Sequence, residues 1–508
     1  MFSEMRLFEA VSAFAERRRG VILTSAPALL LLSACAVGPD FQKPAAPPVT
    51  SYTASPLQTT ETAPGVVGGD AQRFLAGSDV PGDWWTLFHS KPLNDLIEQG
   101  LKNNPGLKSA EASLRQTHEQ ALAARGAFFP SVAAGFAASR QAQSNVLAPT
   151  LTSNELEYNL FTPQLSVTYT PDVFGLTRRT VETADAQTDA ARYQMVAVYT
   201  TLVDNLVATV VQDASTLAQI DATKRLIESQ TKSVEILEYQ HNKGYASGVD
   251  LAAEKSQLAA AEATLPPLIK QEAQLHDQLA VLAGQYPSQA SSQTLQLSDL
   301  KLPDDLPLSL PSTLVDQRPD VLQAEANLHA ASAQIGVAIA NRLPNIELSA
   351  NAGATAVALN QLFSPGSEFW TIGAALTAPI FNGGALYHQE KAARAAYDAA
   401  AEQYRGTVLG AFQNVADTLV ALDQDAKGLK AAAAADDAAK TTLDLVQRQL
   451  QDGYANYLGL LSAQAAYQQA EIALVQAQAN RYADTAALFQ ALGGGWWHRD
   501  DLKEAKND

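Results

Sequence analysis

Cysteine is almost missing from this chain. Cys35 is the only one in 508 residues, which excludes an intrachain disulfide and a thiolate metal cluster. Aromatic residues reach only 7% while alanine abounds, a balance that favours thin, closely packed helices over a bulky core. Basic charge is scarce: 35 Lys and Arg face 53 Asp and Glu, for a net charge of −18. No arginine-rich stripe follows the N-terminus, which argues against nucleic acid as a partner. The seven histidines are scattered, with no two at metal-ligand spacing. His118-Glu119 begins like a zinc-protease motif, but Leu122 stands where the second histidine is needed. Phosphate loops, dinucleotide fingerprints and nucleophile elbows are likewise missing. The chain therefore reads as no enzyme, with no cofactor and no metal.

Helix breakers are also missing where they matter most. From Leu176 to Lys243 there is no Pro and no Gly, enough for a rod of roughly 100 Å at the rise of an α-helix. The tip Gly244-Tyr245-Ala246-Ser247-Gly248 follows, and helical sequence resumes at Asp250. That is the pattern of a long antiparallel hairpin. It recurs from Gly384 to Asp452, with a second tip at Gly453-Tyr454-Ala455-Asn456-Tyr457-Leu458. Ala261-Glu262 and Ala470-Glu471 match at the same offset, so the chain is an internal duplication.

The N-terminus carries Arg17-Arg18-Arg19, an apolar run from Val21 to Leu32 and small residues at Ser33-Ala34. That is a signal peptide, too short to span as a helix. Leu32-Ser33-Ala34-Cys35 resembles a bacterial lipobox, with Cys35 as the lipidation site and no Asp after it to hold the chain at the inner membrane. The long n-region leaves Met1 and Met5 both open as the start. The expected organisation is a signal peptide over 1–34, a lipid-anchored extended tether over 35–81, and a first repeat over 82–300. A second repeat over 301–495 and a tail over 496–508 complete it.

In the first repeat, Trp84-Trp85 opens the ordered part, Leu93 to Leu101 reads as a short helix, and Gly106 to Phe128 as a second; in the other half Arg318-Pro319 opens the matching helix and Pro344 ends it. Pro105 to Pro130 and Pro319 to Pro344 have the same spacing. After each second proline the period changes to alternation. Val132, Ala134, Phe136 and Ala138 share one strand face, as do Leu165, Val167 and Tyr169. The other half gives Ile346, Leu348 and Ala350, then Trp370 to Ile380 in steps of two. Turns are expected over 141–159 and 357–368. Each segment is about ten residues, the length a tilted strand needs to cross a bilayer. Four strands close no barrel and an open edge cannot face lipid, so the chain must oligomerise; eight strands from two copies or twelve from three both satisfy this. The helical hairpins, with no core of their own, point to the same ring.

Taken together, Trp84-Trp85, the helix–proline–strand order, the Gly-Tyr tips and Ala491-Leu492-Gly493-Gly494-Gly495-Trp496 resemble the TolC-type outer-membrane efflux factors. Leu32-Ser33-Ala34-Cys35, Val37-Gly38-Pro39-Asp40-Phe41 and Lys43-Pro44 are similar to their lipoprotein (NodT-type) branch. The resemblance implies an α+β membrane protein: a homotrimer whose twelve-strand β-barrel, four strands per chain, is continuous with a long periplasmic α-helical barrel. It implies a passive exit duct for small molecules such as drugs, lipid-anchored in the outer membrane. Its partners would be a periplasmic adaptor (membrane fusion) protein and an inner-membrane transporter of RND type, which supplies the energy. A type I protein-secretion duct and a poreless periplasmic coiled-coil scaffold are the alternatives.

On that resemblance, Gly244, Tyr245, Ala246, Ser247 and Gly248 with Gly453, Tyr454, Ala455 and Asn456 dock the adaptor. Asp250, Tyr454, Tyr457 and Ser462 stand at the gate. Asp250 reads equally as a cation-attracting ring of three or as a helix-start partner. Relatives often have an Asp where this chain has Ser462; closure there would rest on Tyr454, Tyr457 and backbone packing.

Overall fold

The computed structural model describes residues 36–144, 146, 151, 153–289, 294–454 and 456–503. In chain order its elements are β1 (Arg73–Ala76), α1 (Lys91–Asn103), α2 (Pro105–Arg125), β2 (Ser131–Ala142), β3 (Glu157–Tyr169), α3 (Leu176–Asn242) and α4 (Gly248–Leu282). The second half adds β4 (Asp305–Leu308), α5 (Pro311–Gln317), α6 (Pro319–Ala340), β5 (Asn345–Ala354), β6 (Glu368–Thr377), α7 (Ala385–Gln451), α8 (Tyr457–Ala491) and α9 (Asp500–Lys503). The duplication is exact in the hairpins: α3 and α7 have 67 residues each, α4 and α8 have 35.

Contacts divide the chain into two compact units, each drawing on both repeats. One unit comprises residues up to 42, 117–188 and 327–401. It holds a four-stranded antiparallel sheet in the order β2-β3-β5-β6. Pro163 sits inside β3, where it has no amide to give; the β3–β5 ladder stops there and reappears at the Phe161–Ala356 pair. The alternation expected to run on to Ile380 ends at Thr377, because Pro379 cannot donate to a ladder.

The same unit pins the first described residues. Val37 N–H donates to the Phe174 carbonyl, and Arg179 donates to the carbonyls of Val37 and Gly38 and to Asp40. Phe41 stacks on His329 at 4.4 Å. Gly38 lies so close to Gly336 that a Cβ on it would meet the Gly336 Cα at 2.4 Å.

The other unit comprises 43–116, 189–326 and 402–508. Its core joins the chain's N-terminal part to α8. Trp84 stacks on Phe489 at 5.0 Å, with Phe88 and Tyr482 beside them. Arg481, fully buried, donates to Gln72, to the Asp70 carbonyl and to Thr60. β1 pairs in parallel with β4, from Arg73 opposite Asp305 to Ala76 opposite Leu308. The segment read as a tether is thus extended but packed: Tyr52, Gln72 and Phe74 reach partners far along the chain.

Helix ends differ from the expected ones where local chemistry decides. α2 closes at Arg125 and continues only as a tight turn over Gly126–Phe128. α4 begins at Gly248 rather than Asp250, because Ser247 caps it. Pro266 and Pro267 lie inside α4. Both are exposed, as are residues 262 and 263, whose carbonyls lose their amide partners to the prolines.

Candidate functional site

Strand register sorts the sheet into two chemistries. Val132 lies opposite Val167, Ala134 opposite Leu165, Tyr169 opposite Leu348, and Ala350 opposite Ile372. With Phe136, Ile346, Trp370 and Leu376 they make one apolar face. The alternate residues, among them Gln164, Ser166, Thr168, Ser349, Asn351 and Thr371, make the other face polar. Trp370 is 75% exposed and Ile372 76%, so the apolar face is bare. A contiguous apolar face of this kind marks a surface meant for lipid or protein. Strands of 12, 13, 10 and 10 residues are each long enough to cross a bilayer when tilted. β2 and β6 each pair on one side only, so among the described residues the sheet has two free edges.

The hairpin tips are built alike. Gly244 and Gly453 take left-handed φ of 76° and 78°. Tyr245 N–H donates back to the Gln240 carbonyl and Gly244 N–H to that of His241; Tyr454 to Gln449 and Gly453 to Leu450 repeat the pattern. These paired bonds close α3 and α7 as Schellman caps, which need glycine at that position. Ser247 and Asn456 then cap α4 and α8, accepting from the N–H of Asp250 and of Gly459. Tyr245 (83% exposed) and Tyr454 (87%) project into solvent, and His241 bonds to the Ala246 carbonyl.

The gate candidates fall into place unequally. The Ser247 hydroxyl donates to the Asp250 carboxylate at 2.7 Å, so Asp250 acts as a helix-start partner in this arrangement. Tyr457 donates to Gln240 at 2.6 Å, joining the start of α8 to the end of α3. Burial raises the Tyr457 phenol, and the Glu254 and Asp250 charges add to that while the Gln240 bond opposes it. Ser462 is exposed and donates to its own helix at Leu458. Cys35 and Ala455 lie outside the described residues.

Sequence reasoning missed Gln240, Glu254 and the pairs Lys255–Glu238 and Arg225–Glu471, which tie α4 and α8 to α3. Their partners are distant in sequence, and only the matched hairpin lengths hinted at them. Among the described residues, no group of three His, Cys, Asp or Glu could hold a metal ion.

The family profile described as outer membrane efflux protein matches residues 96–285 and 310–494. The chain is 28% identical over 473 residues to the outer membrane protein OprJ of Pseudomonas aeruginosa, covering 92% of this chain and 94% of that one. It is 30% identical over 417 residues to the pyoverdine export outer membrane protein OpmQ of Pseudomonas putida, covering 81% and 88%. Among solved structures, the outer-membrane channel OprN superposes with a TM-score of 0.81 at 26% identity, over 91% of this chain and all of that one. VceC of Vibrio cholerae gives 0.75 at 27%, over 82% and 99%. Both repeats match, and the paired architecture is shared along almost the whole length: the chain belongs to the outer membrane efflux protein family.

Proposed function

We propose that three copies form the exit duct of a tripartite efflux pump, with their sheets closing a twelve-strand barrel in the outer membrane. One observation carries this reading: a bilayer-length sheet with a bare apolar face, a polar face and two free edges. An edge in hydrocarbon leaves its N–H and C=O groups unpaired, so β2 of one copy must meet β6 of another. An eight-strand barrel is filled by its own side chains, which favours three copies over two for a barrel that conducts.

The hairpins of the three copies would line a periplasmic α-helical barrel. Their exposed Gly-Tyr tips suit docking to a periplasmic adaptor, which links the duct to an inner-membrane transporter of RND type. A lipid on Cys35 fits the same placement. Ala36 abuts Gly175 and Val37 bonds Phe174, between the end of β3 and the start of α3, where a strand would leave the bilayer. Relatives are named for export of pyoverdine, toluene and antibiotics. The cargo class here is accordingly small molecules, selected by the transporter.

Single-channel conductance of the purified protein in planar bilayers, wild type beside Asp250→Ala, tests the reading. A small, cation-selective conductance is expected, with selectivity lost in the variant. A folded trimer that never conducts returns the chain to the poreless scaffold.

A further inference from the structure

Glu254 has no exposed surface, and neither of its carboxyl oxygens has a hydrogen-bond partner. It sits one turn beyond Asp250 in α4, where three helix ends are tied together. Lys255 to Glu238 joins α4 to α3, and Tyr457 to Gln240 joins α8 to α3. Leu237, Leu460 and Leu461 are buried in the same turns. Among the ionisable groups of these helix ends, Glu238 pairs with Lys255, His241 bonds to the Ala246 carbonyl, Asp250 accepts from Ser247, Tyr457 donates to Gln240, and Lys243 lies over the Tyr239 ring. Tyr457 feels the Glu254 charge without bonding to it.

The duplicated half reveals what this position requires. In the register that matches Ser247 to Asn456, Glu254 falls on Ala463, which is also buried. A methyl group satisfies the packing there. A carboxyl without a partner instead costs free energy, and burial pushes its pKa up. A buried unsatisfied group in a native protein calls for a reason beyond packing.

Resting on the gated-duct reading, we infer that Glu254 keeps the packed tip poised to open: the first hairpin stays packed while this side chain holds a proton and is released when it ionises. Linkage fixes the sign. An exposed glutamate titrates near about 4.3, and the packed tip holds the proton more tightly. Below that pH both forms are protonated and packing carries no penalty. As pH rises through it, the packed form is progressively disfavoured until it ionises as well. Each unit by which burial raises the carboxyl shifts the open-to-packed ratio by about tenfold at most.

The test is open probability of the trimer in planar bilayers as pH is raised from about 4.3, where the exposed form begins to ionise. Wild type is expected to open more as pH rises, by up to about tenfold for each unit by which burial raises the carboxyl. Glu254→Gln and Glu254→Ala should both stay flat and low, since each removes the ionisation. A side chain serving only structure gives the opposite result, with both variants opening more than wild type. Wild type that conducts without pH dependence, or a Glu254→Gln channel that keeps the wild-type profile, overturns the inference. So does a Glu254→Ala chain that forms no trimer on unheated gels. A wild-type trimer that conducts at no pH overturns the duct reading itself, and this inference with it.

Discussion

The two helical hairpins agree in length to the residue and share their tip caps, yet they bury different chemistry. In the second, Leu422, Tyr482 and Phe489 are buried, with Phe489 stacked on Trp84 and Tyr482 beside Phe88. At the matching places the first has Asp213, Ala273 and Ala280. There a cavity of about 120 Å3 opens, lined by Leu96, Val210, Asp213, His276, Leu279 and Ala280 among others. Burial, with Glu272 nearby, pushes the Asp213 carboxyl up to about 6, against a smaller opposing effect of His276. Duplication has kept the backbone plan and let the interiors diverge at these three places: where the second hairpin has a leucine and two aromatics, the first has a carboxylate and two alanines. Buried carboxyl oxygens without a partner occur in both, at Asp213 and Glu254 in the first and at Asp425 and Asp436 in the second.

Three experiments can break or sharpen this contrast. The largest effect is expected at Phe489→Ala, which empties the packed side and should cost about 3–5 kcal/mol. Ala280→Leu, placed into the cavity of the first hairpin, should cost less than about 1 kcal/mol. Thermal unfolding of the trimer followed by near-ultraviolet dichroism measures both, and equal losses would end the comparison. Next comes Asp213→Leu, which installs the second hairpin's residue. A buried acid with a raised pKa destabilises the fold only where its exposed form is ionised. Its penalty is absent below about pH 3.8, grows from there, and is complete above about 6. The pH-dependent part of the gain should therefore reach about 2–3 kcal/mol at pH 8 and shrink on acidification; a gain that is constant with pH contradicts the assignment. The smallest effects belong to the caps. Ser247→Ala and Asn456→Ala should each cost about 1 kcal/mol, seen as faster amide exchange in the first turns of α4 and α8. A loss confined to one tip would show that the caps are not equivalent.

Much of this was legible in the residues because the signals are local and repeated. A run without Pro or Gly makes α3, glycines before tyrosines make the tips, and alternation after Pro130 and Pro344 makes β2 and β5. The unread parts depend on contacts across hundreds of residues. Strands β1 and β4 are four residues each, one of them with Pro307, and exist because they pair with each other. Residues 43–81 have the composition of a tether, yet Gln72 accepts from Arg481 and donates to Thr485 and to the Pro303 carbonyl. A buried arginine cannot be told from a surface one by its neighbours in α8. Asp250 allowed two roles in the sequence; the Ser247 bond shows the capping one at work, which leaves its charge for conductance to judge.

The free edges of β2 and β6 also govern how the protein comes into being. A single chain that reached the bilayer would hold its sheet only by leaving two rows of backbone groups unpaired in hydrocarbon, and its bare apolar face would invite aggregation in water. On the trimeric reading proposed above, the folded protomer would have no stable solitary existence in either solvent. Acquisition of the barrel should then depend on encounter, its rate rising with more than the first power of protein concentration. Supply of nascent chains, as much as their sequence, would then set how many trimers form.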